Sequence, residues 1–280
     1  MHPTGGGTRD PEDATEHLLD LAEHALEEGD ADRALALCRE VLDEDPRHAG
    51  ALFVSADAER SLGDLERAEV AYRSVTQVAS DHSPAWSGLA LVLFDQLRFD
   101  ESRAAMLRAI RCDSENAEAY FIRAMLRERR GDGFGTERDY VRAARLDPDG
   151  FPRPERLTEG MNTAVIEEAK LELHPSVRTY LEQVAFLVED VPSEALCREF
   201  EPPALPGELL GFFSGSALSD RATDDPWSQL PSTIVLFRRN LERIAWDREQ
   251  LVDELRITVL HEVGHFLGLD EDDLEARGLD

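Results

Sequence analysis

The sequence predicts a multidomain protein, with an all-α solenoid of helical repeats followed by a compact α+β domain that contains a small sheet. Three observations lead to this fold class. A 34-residue repeat runs through the first half, its rhythm stops at a proline-rich stretch near residue 150, and short β-forming runs then precede a C-terminal helix with the pattern H-E-x-x-H. A chain of 280 residues exceeds the usual size of one domain, which agrees with two units.

The composition excludes several classes of partner and compartment. With 30 Lys and Arg against 59 Asp and Glu, the formal charge of −29 repels nucleic acid and anionic lipid, so neither is expected to bind. No apolar run approaches the roughly 20 residues that cross a membrane, and the polar N-terminus lacks a secretory pattern. Cys38, Cys112 and Cys197 have no metal-binding or disulfide spacing, so reduced thiols in a cytoplasmic protein are expected.

The repeat consists of several columns of residues that recur every 34 positions. A first column of small residues is Ala22, Ala56, Ala90 and Ala124. A turn column is Gly29, Gly63, Leu97 and Gly131. A second small column is Ala34, Ala68, Ser102 and Thr136, and a larger one follows at Cys38, Tyr72, Met106 and Tyr140. Small residues let two helices cross closely and the turn residue joins them, so each unit is a helical hairpin.

These columns resemble the tetratricopeptide repeat. The resemblance covers residues 15–150 as four units that begin near residues 15, 49, 83 and 117, and residues 1–14 are predicted to be a disordered tail. It implies a groove that binds a protein or peptide partner. The positions that the resemblance places on the inner face include Phe53, Phe94, Phe121, Leu91 and Met125.

The second half changes its pattern after the stretch DPDGFPRPERLTEG. Residues 151–160 are predicted to form a linker and residues 161–280 a second domain. Helices are expected at 162–173 and around VRTYLEQ, and strands at 184–188, 209–213 and 233–237, the first of them buried. The last helix is predicted to begin after an Asp247 cap and to end at Gly268.

The last helix carries the residues that point to chemistry. His261 and His265 lie four residues apart, so their rings project from one face of the helix and can bind one metal ion. Zinc bound by two imidazoles and a third ligand keeps one position open for water, and a carboxylate beside that water can take its proton. Glu262 is placed for this role. A third ligand is expected from the acidic residues after Gly268, at 270 to 273.

The second half also resembles the small bacterial zincin-like metallopeptidases, a family once filed as a domain of unknown function. The resemblance covers about residues 160–278 and rests on VAFLVEDVPSE, LLGFFSGSAL, PSTIVLFRRNLER and TVLHEVGHFLGLDEDDL. In the extended pattern H-E-x-x-H-x-x-G-x-x-H/D, the third ligand falls at Glu271, with Asp270 as the runner-up, and glutamate here replaces the usual His or Asp. The resemblance thus implies a zincin fold with Zn²⁺ bound by His261, His265 and an acidic residue near 271.

Two functions from different classes agree with the sequence. The first is a zinc metallopeptidase in which Glu262 is the general base and the repeats bind a partner or substrate. The alternative is a non-enzymatic scaffold that binds a partner through its repeats and keeps a structural or vestigial metal site. Metal content together with chelator-sensitive cleavage distinguishes the two.

Overall fold

The computed structural model describes residues 11–218 and 232–279, and these form two compact units. The first unit comprises the described residues up to Leu126 together with residues 145–147, and the second comprises residues 127–144 and the described residues from Pro148 onward. Among the described residues, no helix has the length and apolar character that a membrane crossing requires.

Eight helices follow one another through the repeat region. They are α1 (Pro11–Glu27), α2 (Ala31–Glu44), α3 (Ala49–Ser61), α4 (Leu65–Val78), α5 (Ser83–Asp95), α6 (Phe99–Cys112), α7 (Ala117–Glu128) and α8 (Gly133–Leu146). Helices α3, α5 and α7 begin where the second, third and fourth units were expected to begin. Helix α1 begins at Pro11, whose fixed φ suits a first helical turn, so residues 11–14 of the predicted tail are helical. Residues 1–10 of that tail lie outside the described residues.

The small residues of the repeat lie where consecutive helices cross in the first unit. Ala56 and Ala90 are fully buried, and Ser102 of α6 donates a hydrogen bond of 2.6 Å to the backbone carbonyl of Ala90 in α5. The larger residues Tyr72 and Met106 fill the space beside them and are also buried. The repeated columns therefore lie at helix–helix contacts, as the sizes of their side chains predict.

The turns between paired helices use a left-handed backbone conformation. Gly29, Gly63 and Gly131 have φ values of 81°, 77° and 69°, and Leu97 adopts the same turn with φ 62°. A non-glycine residue in this region costs on the order of 1–2 kcal/mol. Leu97 is buried, and burial of a leucine side chain contributes about 1.5–3 kcal/mol, which offsets that cost.

The second unit adds six helices and three strands to α8. The helices are α9 (Glu159–Glu172), α10 (Pro175–Leu181), α11 (Glu194–Cys197), α12 (Arg238–Ile244), α13 (Arg248–Leu267) and α14 (Glu271–Glu275). The strands are β1 (Val184–Glu189), β2 (Gly211–Ser214) and β3 (Ser232–Phe237). The sheet order is β1-β3-β2, with β1 parallel and β2 antiparallel to β3. The expected helices and strands of this half are therefore present, whereas α11, α12 and α14 were not predicted.

Strand β1 differs from its prediction as a buried strand. Val184 is buried, but Leu187 is 48 % exposed and Val188 is also exposed. The reason is that β1 lies at an edge of the sheet, with β3 on one side only among the described strands. An apolar run of this length does not distinguish an edge strand from a central one.

The core of the second unit positions α13. Leu251, Leu255, Val259 and Phe266 of this helix are fully buried together with Ile234 of β3. Helix α13 contacts α9, α12, β2 and β3, so its buried stripe is held from several sides. The opposite face of its C-terminal half carries the two histidines.

Candidate metal centre

Helix α13 has a capping residue at each end, Asp247 at its N-terminus and Gly268 at its C-terminus. The Asp247 side chain accepts a hydrogen bond of 2.9 Å from the backbone N–H of Gln250, as predicted for an N-cap. Gly268 has φ 90° and donates its N–H to the carbonyls of the last turn. The left-handed residue reverses the chain, which brings the acidic segment after it back toward the histidines.

The two imidazoles face each other with their Nε2 atoms 3.0 Å apart. The Nδ1 atom of His261 lies 2.6 Å from the carbonyl oxygen of Leu279, and that of His265 lies 3.2 Å from the carbonyl oxygen of Leu269. A carbonyl only accepts hydrogen bonds, so these contacts favour the tautomer with the hydrogen on Nδ1, in which the lone pair lies on Nε2. In that tautomer both lone pairs point to the same place, where one metal ion can accept them.

Glu271 supplies the third donor. Its carboxylate oxygens lie 3.4 Å from Nε2 of His265 and 3.8 Å from Nε2 of His261. One donor atom from each of the three residues lies within 4.8 Å of the others. Ligands about 2.0–2.1 Å from a tetrahedral zinc ion lie roughly 3.3 Å from one another, so the spacing and the donor types fit zinc.

Asp270, the runner-up for the third ligand, has a different contact. It is the N-cap of α14, and its side chain accepts a hydrogen bond of 2.9 Å from the backbone N–H of Asp273. Leu274 of the same helix is fully buried and contacts Gly264, where a Cβ atom would lie 2.3 Å from a Leu274 methyl group. This contact holds α14, and therefore Glu271, against α13.

Glu262 lies beside the three donor residues and is largely shielded from solvent. Its side chain is buried, with 5 % of the residue exposed. Burial raises the pKa of Glu262 to about 8, the backbone N–H of Phe213 lowers it, and the carboxylate of Glu271 adds to the increase. A Cβ atom at Gly211 of β2 would lie 2.8 Å from Oε1 of Glu262, so the glycine leaves the space that this carboxylate occupies.

A cavity of about 230 Å³ opens next to His261 and Glu262. Its walls come from the segment that leads into β2, from α13 and from Leu279. The cavity is large enough for one side chain of a bound molecule, and Glu208 and Glu254 line it together with apolar residues.

The structure thus brings His261, His265 and Glu271 together and places Glu262 beside them. Sequence reasoning missed the roles of Gly211 and Leu279. The Leu-Gly-aromatic segment of the sequence contains Gly211. Spacing alone does not predict that Leu279, 18 positions after His261, contacts the His261 ring.

The residues expected to line the groove of the repeats differ in their accessibility. Phe94 is 2 % exposed and Met125 is 6 % exposed, because both pack into the core of the first unit. They therefore contact no partner without repacking. Phe53, Leu91 and Phe121 are half-buried.

Comparisons with known proteins match the two halves of the chain to different families. Residues 181–279 match the family model of the zincin-like metallopeptidases. Residues 25–89 and 87–150 match two tetratricopeptide-repeat models. A search of curated proteins finds no match.

Solved structures also match part of the chain. A thermophilic TPR protein of Thermus thermophilus is 22 % identical, with 51 % of this chain and 77 % of that chain covered and a TM-score of 0.43. MamA from Desulfovibrio magneticus RS-1 is 18 % identical, with 49 % and 77 % covered and a TM-score of 0.42. The family models show that the chain combines tetratricopeptide repeats with a zincin-like metallopeptidase domain.

Proposed function

We propose that the second unit is a zinc-dependent peptidase, with His261, His265 and Glu271 as the metal ligands and Glu262 as the general base. The observation that carries the proposal is the arrangement of three facing donor atoms with a buried carboxylate beside them. When bound, zinc supplies Lewis acidity and lowers the pKa of water to about 7.

The side chains and backbone groups of the protein orient the ligands and transfer the proton. The carbonyls of Leu279 and Leu269 hold the Nδ1 hydrogens and so direct both Nε2 atoms to the same point. The Phe213 N–H orients the Glu262 carboxylate, and that carboxylate takes the proton of the attacking water and passes it to the leaving amine. The hydrogen bond and the tight space at Gly211 keep the carboxylate in one position.

The substitution Glu262→Gln tests this proposal. We expect about one zinc ion per chain in both the parent and the variant, measured by elemental analysis, because Glu262 does not supply a ligand. Cleavage of an unfolded protein substrate is expected to fall by at least about 100-fold, in line with the loss of a general base. Cleavage by the parent should also stop on addition of a chelator.

Glu249→Gln is a matched control, because Glu249 is an exposed residue of the same helix and the substitution makes the same chemical change to the side chain. This variant should cleave as the parent does. Equal cleavage by Glu262→Gln and the parent would contradict the role of Glu262. Zinc without any chelator-sensitive cleavage would instead favour the scaffold alternative.

We further propose that the repeats bind a protein partner and that the protein acts in the cytoplasm. Phe53, Leu91 and Phe121 are the accessible candidates for this contact, since Phe94 and Met125 are buried. Cys38, Cys112 and Cys197 are all free thiols, which agrees with a reducing compartment. Proteins that co-purify with Glu262→Gln, identified by mass spectrometry and lost in a Phe53→Ala, Phe121→Ala double variant, would support the contact.

A further inference from the structure

The cavity next to His261 and Glu262 has an amphipathic lining. Leu209, Leu210, Ile257 and Leu279 provide apolar walls. Glu208 and Glu254 add two carboxylates to the same walls. The lining therefore combines aliphatic surface with negative charge in one small space.

No described cationic side chain of the protein pairs with either carboxylate. Within residues 11–218 and 232–279, neither Glu208 nor Glu254 forms an ion pair, and the contact of Glu254 is a long hydrogen bond of 3.5 Å from the Gln250 amide. Other acidic side chains of the second unit do have cationic partners, as Glu242 has in Arg156 and Arg239. The charge in the cavity is thus available to a bound molecule.

The position of Glu254 sets the length of a side chain that can use this charge. Glu254 and His261 lie seven residues apart on α13, with Thr258 between them in the same cavity wall. Seven residues correspond to about 10 Å along a helix axis. A group that interacts with Glu254 while the peptide backbone lies near His261 and Glu262 must therefore be at the end of a long side chain.

We propose that this cavity binds a lysine or arginine side chain of the peptide substrate, and this inference rests on the proposed peptidase function. The aliphatic stem of either side chain packs on the leucine and isoleucine walls, and its charged end interacts with Glu254 and Glu208. An apolar side chain would gain no interaction with the carboxylates of Glu208 and Glu254, and an acidic one would face two like charges. The net charge of −29 also attracts basic polypeptides from solution.

Peptide binding to the zinc-loaded Glu262→Gln variant tests the inference separately from catalysis. The probes are alanine-based decapeptides that differ at one central position, which carries Lys, Arg, Gln or Glu, and binding is measured by fluorescence anisotropy. We expect the Lys and Arg peptides to bind roughly 5- to 10-fold more tightly than the Gln peptide at moderate salt, and the Glu peptide most weakly.

Variants locate the preference within the cavity. The preference is the Kd of the Gln peptide divided by the Kd of the Lys or Arg peptide. Adding Glu254→Gln to Glu262→Gln should lower this ratio to about half or less, and adding Glu208→Gln should lower it further. Glu249→Gln in the same background removes an equal charge outside the cavity and should leave the preference unchanged. Adding Glu254→Lys should make the Glu peptide a better ligand than the Lys peptide.

The outcomes separate this inference from the peptidase function. Equal binding of the Lys and Gln peptides, or binding of none of the four, would overturn the inference. Cleavage by the parent without preference for a basic residue would overturn it too, while the peptidase function would stand. Tight binding of Lys and Arg peptides that the parent never cleaves would support a pocket for basic side chains and contradict the peptidase function.

Discussion

Gly211 of β2 affects the candidate centre through the space that a side chain would otherwise fill. A Cβ atom at this position would meet Oε1 and Cγ of Glu262 at 2.8 and 2.9 Å and a methyl group of Thr258 at 2.9 Å. Real Cβ atoms do not approach other atoms this closely, so either β2 or the carboxylate must move. Strand β2 and the Glu262 side chain are therefore in close contact at this one residue.

Gly211→Ala is expected to keep the zinc content and to lower peptide cleavage by at least about 10-fold, because a displacement of about 1 Å from the productive geometry costs up to 100-fold. Zinc analysis and a cleavage assay measure the two effects. Gly160→Ala is the control, since a Cβ atom there meets nothing within 4 Å. Full activity of Gly211→Ala would show that Glu262 has room to adjust.

Asp57 forms a partly buried polar contact in the first unit. The Tyr72 hydroxyl donates to the Asp57 carboxylate and accepts from Nε of Arg60 at 3.3 Å. Burial raises the pKa of Asp57 above its ordinary value of 3.8, while Tyr72 and Arg60 act in the opposite direction. The folded state therefore holds the Asp57 proton more tightly than the unfolded chain does.

The pH dependence of Asp57→Asn follows from the direction of this shift. The contribution of Asp57 to stability is fully present below pH 3.8 and is lost as the pH rises through the raised pKa of the folded state. The free energy of opening of α3 and α4, measured by hydrogen exchange and corrected for the intrinsic rate, should thus fall with rising pH more steeply in the parent than in Asp57→Asn. The same slope in both would contradict the shift.

At the scale of secondary-structure elements, α14 depends on a single anchor. Only Leu274 of this five-residue helix is buried, and it packs against Gly264 of α13, one residue before His265. A helix this short is not stable alone, so its packing determines its position. The third donor, Glu271, belongs to its first turn.

Leu274→Ala is expected to weaken zinc binding by about 10-fold although all three donor residues remain. The reason is that truncating a buried leucine costs about 2–5 kcal/mol, and part of this loss falls on the docking of α14. Zinc affinity is measured by competition with a chelating dye, and circular dichroism checks that the fold is kept. Leu187→Ala, at an exposed position of β1, should bind zinc as the parent does.

Some secondary-structure elements can be predicted from the sequence and others cannot. Periodicity predicts the helical hairpins and α13 well, because small residues at helix crossings and the caps Asp247 and Gly268 act locally. The exposure of β1 and the short helices α11, α12 and α14 were missed, because tertiary contacts and not local pattern determine them. Within the site, the spacing of His261 and His265 predicts their proximity, whereas the contact from Leu279 depends on where the chain returns.

At the scale of the whole molecule, the end of the repeats is also part of the second unit. The sequence rhythm predicts a repeat region that extends to residue 150, followed by a linker at 151–160. In the structure, residues 127–144 group with the residues from 148 onward, which include the zincin-like region. Glu128 and Arg243 form an ion pair in which their side chains are 1 % and 7 % exposed, and the Tyr140 hydroxyl donates to Glu128 at 3.0 Å.

Glu128→Gln is expected to destabilise the second unit by about 3–5 kcal/mol, because it leaves the buried guanidinium of Arg243 without its counter-charge. Hydrogen exchange followed by mass spectrometry should show faster exchange in α12, which carries Arg243, and unchanged exchange in α3 of the first unit. Glu172→Gln removes an ion pair of 3.1 Å with Arg256 whose partners are both partly exposed, so its cost should stay below about 1 kcal/mol.

A second substitution separates the loss of the pair from the loss of packing. The double variant Glu128→Gln, Arg243→Met has no unpaired buried charge, so it should recover part of the stability that Glu128→Gln loses, as a double-mutant cycle measures. If Glu128→Gln alone leaves α12 unchanged, residues 127–144 do not stabilise the second unit and the boundary near residue 150 holds. If α12 alone becomes less protected, an isolated second unit must begin at or before residue 127, since a fragment that starts at 151 lacks the partner of Arg243.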